Sequence, residues 1–454
     1  MKKRLNERQF TLLAINYIIG FGFVSTILSV VQIGYWSFVV MFLAALVSLG
    51  TMLSASKLVK SYPNEIGGTV AYAEKTGNKE LTFFAAMHQY IQVPLFSASG
   101  PLFLVSIAEI YTNNSLILWM TRGVSLLIFF VLVLISIRGF NLSKFVILEM
   151  SLIKWAVLIL GFILVAYYSF SEFKFHDNIM KYHKSVSAAN ILNLTLLFTL
   201  AFGGIETLPN MTREVKFKNI RKVLLVVFAV IFTIYVLIYF LFLGTNLNEI
   251  KGFVNIYDRF IGPIGVVIFG LYLISYNISS YLTSTNLYSN LVASISHRGF
   301  FPETLGKKDN NGEYKNAIIF NTLVILVSMT FFTLLPAFIP QLKNFFNNVI
   351  ALGITATLVQ YLTNFVVCFI LEKQRKIPKI HIIEKIFYIV ISIVILIIII
   401  ATLFPVVFNE PWTVANTVQV VSYFSLILIS YTIWISISIV RKKRNQNKNN
   451  KKAS

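Results

Sequence analysis

Two glycine-containing interruptions and one isolated lysine are the residues whose types and spacing suggest chemistry. The first interruption is Gly20-Phe21-Gly22, inside the apolar run from Asn16 to Val24. The second is Phe202-Gly203-Gly204-Ile205-Glu206, in a run that ends near Pro209. Both fall deep in segments long enough to cross a bilayer. Unwound backbone at that depth is tolerated only where protein or a water-filled cavity satisfies its polar groups. Such a stretch exposes N–H groups at the start of one half-helix and C=O groups at the end of the other. The N–H end suits a carboxylate and the C=O end an ammonium. An amino acid carries both groups on one carbon. Ile18, Ile19, Gly20, Phe21, Gly22, Phe202, Gly203, Gly204 and Ile205 are therefore candidate substrate-binding residues. Glycine pairs also serve close helix packing in membranes, but a matching second break is more than packing requires.

The elements that hold these breaks follow from composition. The chain has 454 residues and is 57% hydrophobic and 13% charged, with a mean hydropathy of +0.75. A soluble domain is nearer ~25% charged, so the sequence reads as an all-α integral membrane protein. Twelve apolar spans are expected, at 10–31, 35–58, 84–110, 116–137, 143–170, 191–212, 222–244, 261–295, 315–337, 344–371, 384–407 and 415–440. The first enters near Phe10, so Gly20 lies about 15 Å along it. The sixth enters near Ile191, so Gly203 lies about 18 Å along it. The two breaks approach one level from opposite sides, five helices apart, as an inverted repeat would place them.

Charge fixes the expected orientation. The net charge is +21, and the basic residues sit in short loops and tails. With the N-terminus inside, 31 of the 39 Lys and Arg fall in cytoplasmic segments and 6 outside, which puts both termini in the cytoplasm of a multi-pass cell-membrane protein. The expected organisation is a cytoplasmic tail at 1–9, a transport core at 10–371 with repeats 10–170 and 191–371, two accessory helices within 384–440, and a basic, disordered tail at 441–454. The longest connections, near 171–190 and 296–314, leave no room for a soluble domain. The N-terminus reads as a retained first helix rather than a cleaved leader.

Ionisable groups within spans are rare and functional by default. Lys154 lies ten residues past Lys144, about 15 Å into its span, and Glu206 directly follows the second break. These two are the candidate gating and coupling residues. Glu109 reads as interfacial, Glu149 as reaching a loop base, Arg122 as snorkelling, and His88 as a satisfied core histidine. Ser279, Ser280 and Thr283 offer hydroxyls for sodium, though hydroxyls in such helices usually bond to their own backbone. Tyr90, Phe198, Tyr276 and Tyr361 are candidate gates. The five His are scattered and Cys368 stands alone, so no disulfide, metal site, cofactor or enzyme is expected. The basic charge is explained by topology, so no nucleic-acid partner is expected either.

Four segments carry a family resemblance: Ile19-Gly-Phe-Gly-Phe-Val24, Leu58-Val-Lys-Ser-Tyr-Pro-Asn-Glu-Ile-Gly-Gly-Thr-Val-Ala-Tyr72, Ala201-Phe-Gly-Gly-Ile-Glu206 with Arg213-Glu-Val-Lys216 and Asn219-Ile-Arg-Lys222, and His297-Arg-Gly-Phe-Phe-Pro302. In this order they resemble the amino acid–polyamine–organocation (APC) superfamily. The resemblance implies a leucine-transporter-type fold with a 5+5 inverted repeat, helices 1 and 6 discontinuous, and two further C-terminal helices. It implies secondary transport of an amino acid by alternating access, with the bilayer and a small substrate as partners. It also implies that Lys154 occupies the place of a coupling sodium ion, giving proton coupling or exchange, and that Glu206 contributes to gating. Phe21 stands where the family has a small residue, which reshapes the pocket. Polyamine or cationic amino acid antiport is the alternative, and a major-facilitator-type carrier a further one. That last reading predicts a long loop after the sixth span, where only about nine residues stand. Substrate identity, coupling and oligomeric state are not legible.

Overall fold

A computed structural model describes residues 6–63, 65, 67–137, 140–180, 186–208, 217–309, 312–339, 341–342 and 345–453. All regular structure among them is helical. The helices are α1 Glu7–Ile18, α2 Phe21–Val31, α3 Trp36–Ser61, α4 Thr69–Glu74, α5 Lys79–Phe96, α6 Ser99–Tyr111, α7 Ser115–Ser136, α8 Phe140–Glu172, α9 Phe175–Met180, α10 Ala188–Thr199, α11 Ile220–Leu243, α12 Val254–Ile261, α13 Pro263–His297, α14 Lys315–Phe338, α15 Phe345–Lys373, α16 Ile382–Leu403 and α17 Val414–Ala453.

Ten of these, counting α5 and α6 as one span, are long and apolar enough to cross a membrane, and the bent pair α1–α2 makes eleven. Among the described residues this falls short of the expected twelve. The sixth segment contributes only the short apolar stretch Ala188–Phe202, because helical winding stops at its glycines and the residues from Pro209 to Lys216 lie outside those described. The basic C-terminal segment, expected to be disordered, continues α17 to Ala453. No Gly or Pro interrupts 414–453, and Lys, Arg and Gln are good helix formers.

Helix starts are locally encoded. Asn6 and Gln9 form a reciprocal capping box at α1 (3.0 and 2.8 Å). Asn78, Asn114 and Ser187 cap α5, α7 and α10 with side-chain oxygens, supplying partners for otherwise orphaned amides. The connection before α4 needs its glycine pair: Gly67 and Gly68 have φ of 116° and 58°, a region costly for other residues. Arg298, in the turn after α13, reaches back to Glu74 at the end of α4 (2.7 Å). The fourth motif is thus tied to α4, the helix in which the second motif ends.

Large apolar side chains such as Leu127, Ile163, Val327 and Ile383 are exposed around the perimeter, where acyl chains replace water as their solvent. Polar side chains gather in the interior instead, and that is where the two breaks meet.

Candidate functional site

α1 and α2 meet at a 54° bend. The joint is extended backbone at Gly20, with φ 179° and ψ −133°. Its need for glycine is spatial: a Cβ there would lie 2.5 Å from the Tyr276 ring. A Cβ on Gly22 would collide with the Leu200 carbonyl. Across from this joint, α10 tightens into a 3-10 turn at Leu200–Phe202, passes through Gly203-Gly204, and resumes as a second 3-10 turn at Ile205–Thr207. Gly204 has φ 106°, and a Cβ on it would sit 2.8 Å from the Tyr17 ring. The two interruptions therefore face each other in direct contact, Gly22 and Gly204 lacking side chains that would separate them.

Four helix poles converge here, and the chain's own charges fill two of them. The carbonyl end of α1 is held by Lys154 Nζ, which donates to Asn16 O (2.6 Å) and Ile19 O (3.1 Å). Lys154 is 3% exposed. Ser151 and Trp155 on the same helix fix the Asn16 side chain, at 3.1 and 2.8 Å. The amide end of the second turn is held by Glu206, whose two carboxylate oxygens accept from Gly204 N–H at 2.9 and 3.0 Å. Tyr361 Oη donates to the same carboxylate at 2.9 Å. Two poles remain: the first amides of α2, which have no partner within their helix, and the carbonyl end around Leu200–Phe202. In the latter, Gly203 N–H donates to Leu200 O at 2.9 Å and Tyr235 donates to Ala201 O, which leaves the Phe202 carbonyl.

Phe21 closes one side of this centre. Its ring packs edge-on to Phe103 and Phe346, at 4.8 and 5.8 Å, and stacks on Tyr276 at 5.9 Å. α2, α6, α13 and α15 are thereby joined over the break. Phe198 lies among Phe23, Phe202 and Tyr235, and the Tyr90 ring lies among Phe301 and Phe320. Both are packing residues in this state.

The remaining ionisable groups divide clearly. Arg122 does not snorkel; it is buried and pairs with Glu109 at 3.5 Å, because α6 and α7 pack together and each charge satisfies the other. His88 Nδ1 bonds to Phe84 O at 3.0 Å. Thr283 donates to Ser279 O, a bond within its own helix. Glu149 lies on an exposed face of α8. Arg213-Glu-Val-Lys216 lies outside the described residues. Sequence reasoning missed Tyr17, Asn16 and Tyr235 as supports of the breaks. Asn16 alone carried a signal, as a polar residue just ahead of the first glycine.

A family model described as amino acid permease matches residues 5–453. The chain belongs to the amino acid permease family, within the APC superfamily. This points to a transporter rather than an enzyme and sets aside the major-facilitator alternative. Among similar proteins, an uncharacterized protein of Mycoplasma genitalium, MG225, is 28% identical, with 99% of this chain and 98% of the relative aligned. A second from the same organism, MG226, is also 28% identical over 98% of this chain and 97% of the relative. The MG226 homolog of Mycoplasma pneumoniae is 27% identical over 92% and 91%. The permease is thus a multi-pass helical membrane protein.

Proposed function

We propose that this permease is a secondary transporter that moves an amino acid by alternating access, binding it between the two facing breaks. The observation that carries the reading is the division of the four poles. Lys154 and Glu206 satisfy one pole of each break internally. What remains is an amide end at Gly20–Phe23 for a substrate carboxylate and, with Leu200 O taken by Gly203 N–H and Ala201 O by Tyr235, the Phe202 carbonyl for its ammonium. Phe21, over the joint, limits the room beside the α-carbon.

In this reading the twelve segments form a 5+5 inverted repeat at 10–170 and 191–371 followed by two helices, with both termini cytoplasmic. Lys154 takes the place of a coupling cation, so transport is proton-coupled or an exchange. Glu206 and Tyr361 act as a gate whose carboxylate must leave Gly204 when the second turn moves. Antiport of a polyamine or cationic amino acid is the second reading, supported by the buried carboxylate beside the site.

Reconstitution in liposomes tests this. Uptake of an amino-acid panel is measured with and without proton and sodium gradients. Accumulation driven by a proton gradient or by internal amino acid supports the proposal. Uptake of no amino acid under any gradient, or strict dependence on sodium, refutes it.

A further inference from the structure

One polar cluster near the breaks has no part in that scheme. Gln89 and Gln92 on α5, Gln360 on α15, Thr207 of the second 3-10 turn and Tyr288 on α13 line a small cavity, with two leucines completing it. Its volume is about 10 Å³, the space one water-sized group requires. The side chains around it are linked. Gln92 Nε2 donates to Gln360 Oε1 at 2.6 Å and to His88 O at 3.2 Å. Gln360 Nε2 donates in turn to Thr69 Oγ1 at 2.9 Å. All three residues of this chain of amides and hydroxyl are buried.

Gln89 is different. It is 5% exposed, lines the cavity, and its Oε1 has no hydrogen-bond partner within the protein. A buried carbonyl oxygen left in this way is costly, so its place in the cavity wall points to a donor as the group it serves. None of the lining residues is charged, so the site suits a hydrogen-bond donor rather than an anion.

Position supplies the rest. Thr207 donates to Gly204 O at 2.7 Å, so the cavity begins one turn beyond the break. Thr69 belongs to the connection that also carries Lys75, and α15 ends at Lys373. Both lie on the basic face, assigned above to the cytoplasm. The cavity therefore separates the centre from that face, and the amide chain spans the separation from α5 to α15 to α4.

We propose that Gln92, Gln360 and Thr69 seal the cytoplasmic half of the substrate route, and that Gln89 behind the seal accepts a hydrogen bond from the donor group of a departing substrate. This rests on the transport reading for its direction and meaning. Opening toward the cytoplasm shifts α15 against α5 and breaks the 2.6 Å amide bond that joins their polar side chains.

The test uses the full-length protein with Cys368→Ser and Leu291→Cys, placing one thiol in the cavity wall. A membrane-impermeant thiol reagent is applied separately to each face of oriented vesicles. Gln360→Leu in this background is expected to raise labelling from the cytoplasmic face about tenfold, the change that loss of one to two neutral hydrogen bonds gives. Labelling from the outer face is expected to stay unchanged. Unaltered labelling, or an equal rise from both faces, overturns the seal. Gln89→Met, close in length but without the acceptor, is expected to raise the substrate KM severalfold from the cytoplasmic face only. An equal effect on both faces overturns the role of Gln89. If labelling behaves as expected while no amino acid is carried, the transport reading fails and the seal stands. If amino acids are carried and labelling does not change, the seal alone fails.

Discussion

Replacing Lys154 with Met removes the ammonium while keeping a flexible side chain of similar length. Two bonds vanish, to Asn16 O at 2.6 Å and Ile19 O at 3.1 Å. Hydrogen bonds from a charged donor contribute about 1.5–3 kcal/mol each, so the gross loss is about 3–6 kcal/mol. Relief of the desolvation of a buried charge offsets part of this, leaving a net loss of about 2–4 kcal/mol localised at the carbonyl end of α1. The α1–α2 joint should then move, because Asn16 is the residue that Ser151 and Trp155 also hold. In proteoliposomes the variant should lose uptake driven by a proton gradient. Exchange of internal for external amino acid should persist at reduced rate if Lys154 serves coupling alone. Thermal unfolding of the detergent-solubilised protein should fall by several degrees. A variant that keeps gradient-driven uptake excludes a coupling role. One that also melts within about 1 °C of the parent shows that the two carbonyls did not need the ammonium, and the pole assignment fails with it.

Four further outcomes follow from the geometry. Gly204→Ala should abolish transport and cost about 1–3 kcal/mol, because φ is 106° and the new Cβ meets the Tyr17 ring at 2.8 Å; wild-type uptake and melting temperature would contradict this. Tyr361→Phe should release Glu206 from its 2.9 Å bond and raise the opening rate more than it changes substrate affinity, measured as a rise in maximal exchange velocity with KM held within about twofold. Arg122→Ala should destabilise the fold by about 1–3 kcal/mol by leaving Glu109 unpaired, and Arg122→Ala with Glu109→Gln should recover much of the loss; no recovery in a melting series would show the pair does not couple. Phe21→Ala should enlarge the space against Phe103, Tyr276 and Phe346 and admit bulkier substrates, read as competition by larger amino acids for uptake of the preferred one.

The membrane class and the positions of the breaks were legible because both rest on local rules: apolar length, and glycines where a helix should continue. The bend at Gly20 and the left-handed turn at Gly204 lie where the sequence placed them. Lys154 was legible as a buried charge from its depth alone. Its partners, the carbonyls of Asn16 and Ile19, were not, since backbone acceptors carry no residue-type signal. Arg122 was misread for a related reason: depth along one helix says how far a charge is from water, but not that Glu109 on a neighbouring helix meets it. The glutamine cluster escaped because Gln92 and Gln360 are 268 positions apart, and three uncharged amides in apolar helices have no periodicity of their own. The sixth segment was counted as one span on hydropathy, whereas its length as a continuous helix depends on where the two glycines let it stop.

Cys368 is the single thiol of this chain and is fully enclosed between α15 and the Ser54 region of α3. A probe that reacts only with accessible sulfur will therefore find the parent protein silent. Any reporter cysteine introduced elsewhere speaks without background, so any displacement of α1, α10 or α15 can be followed one position at a time.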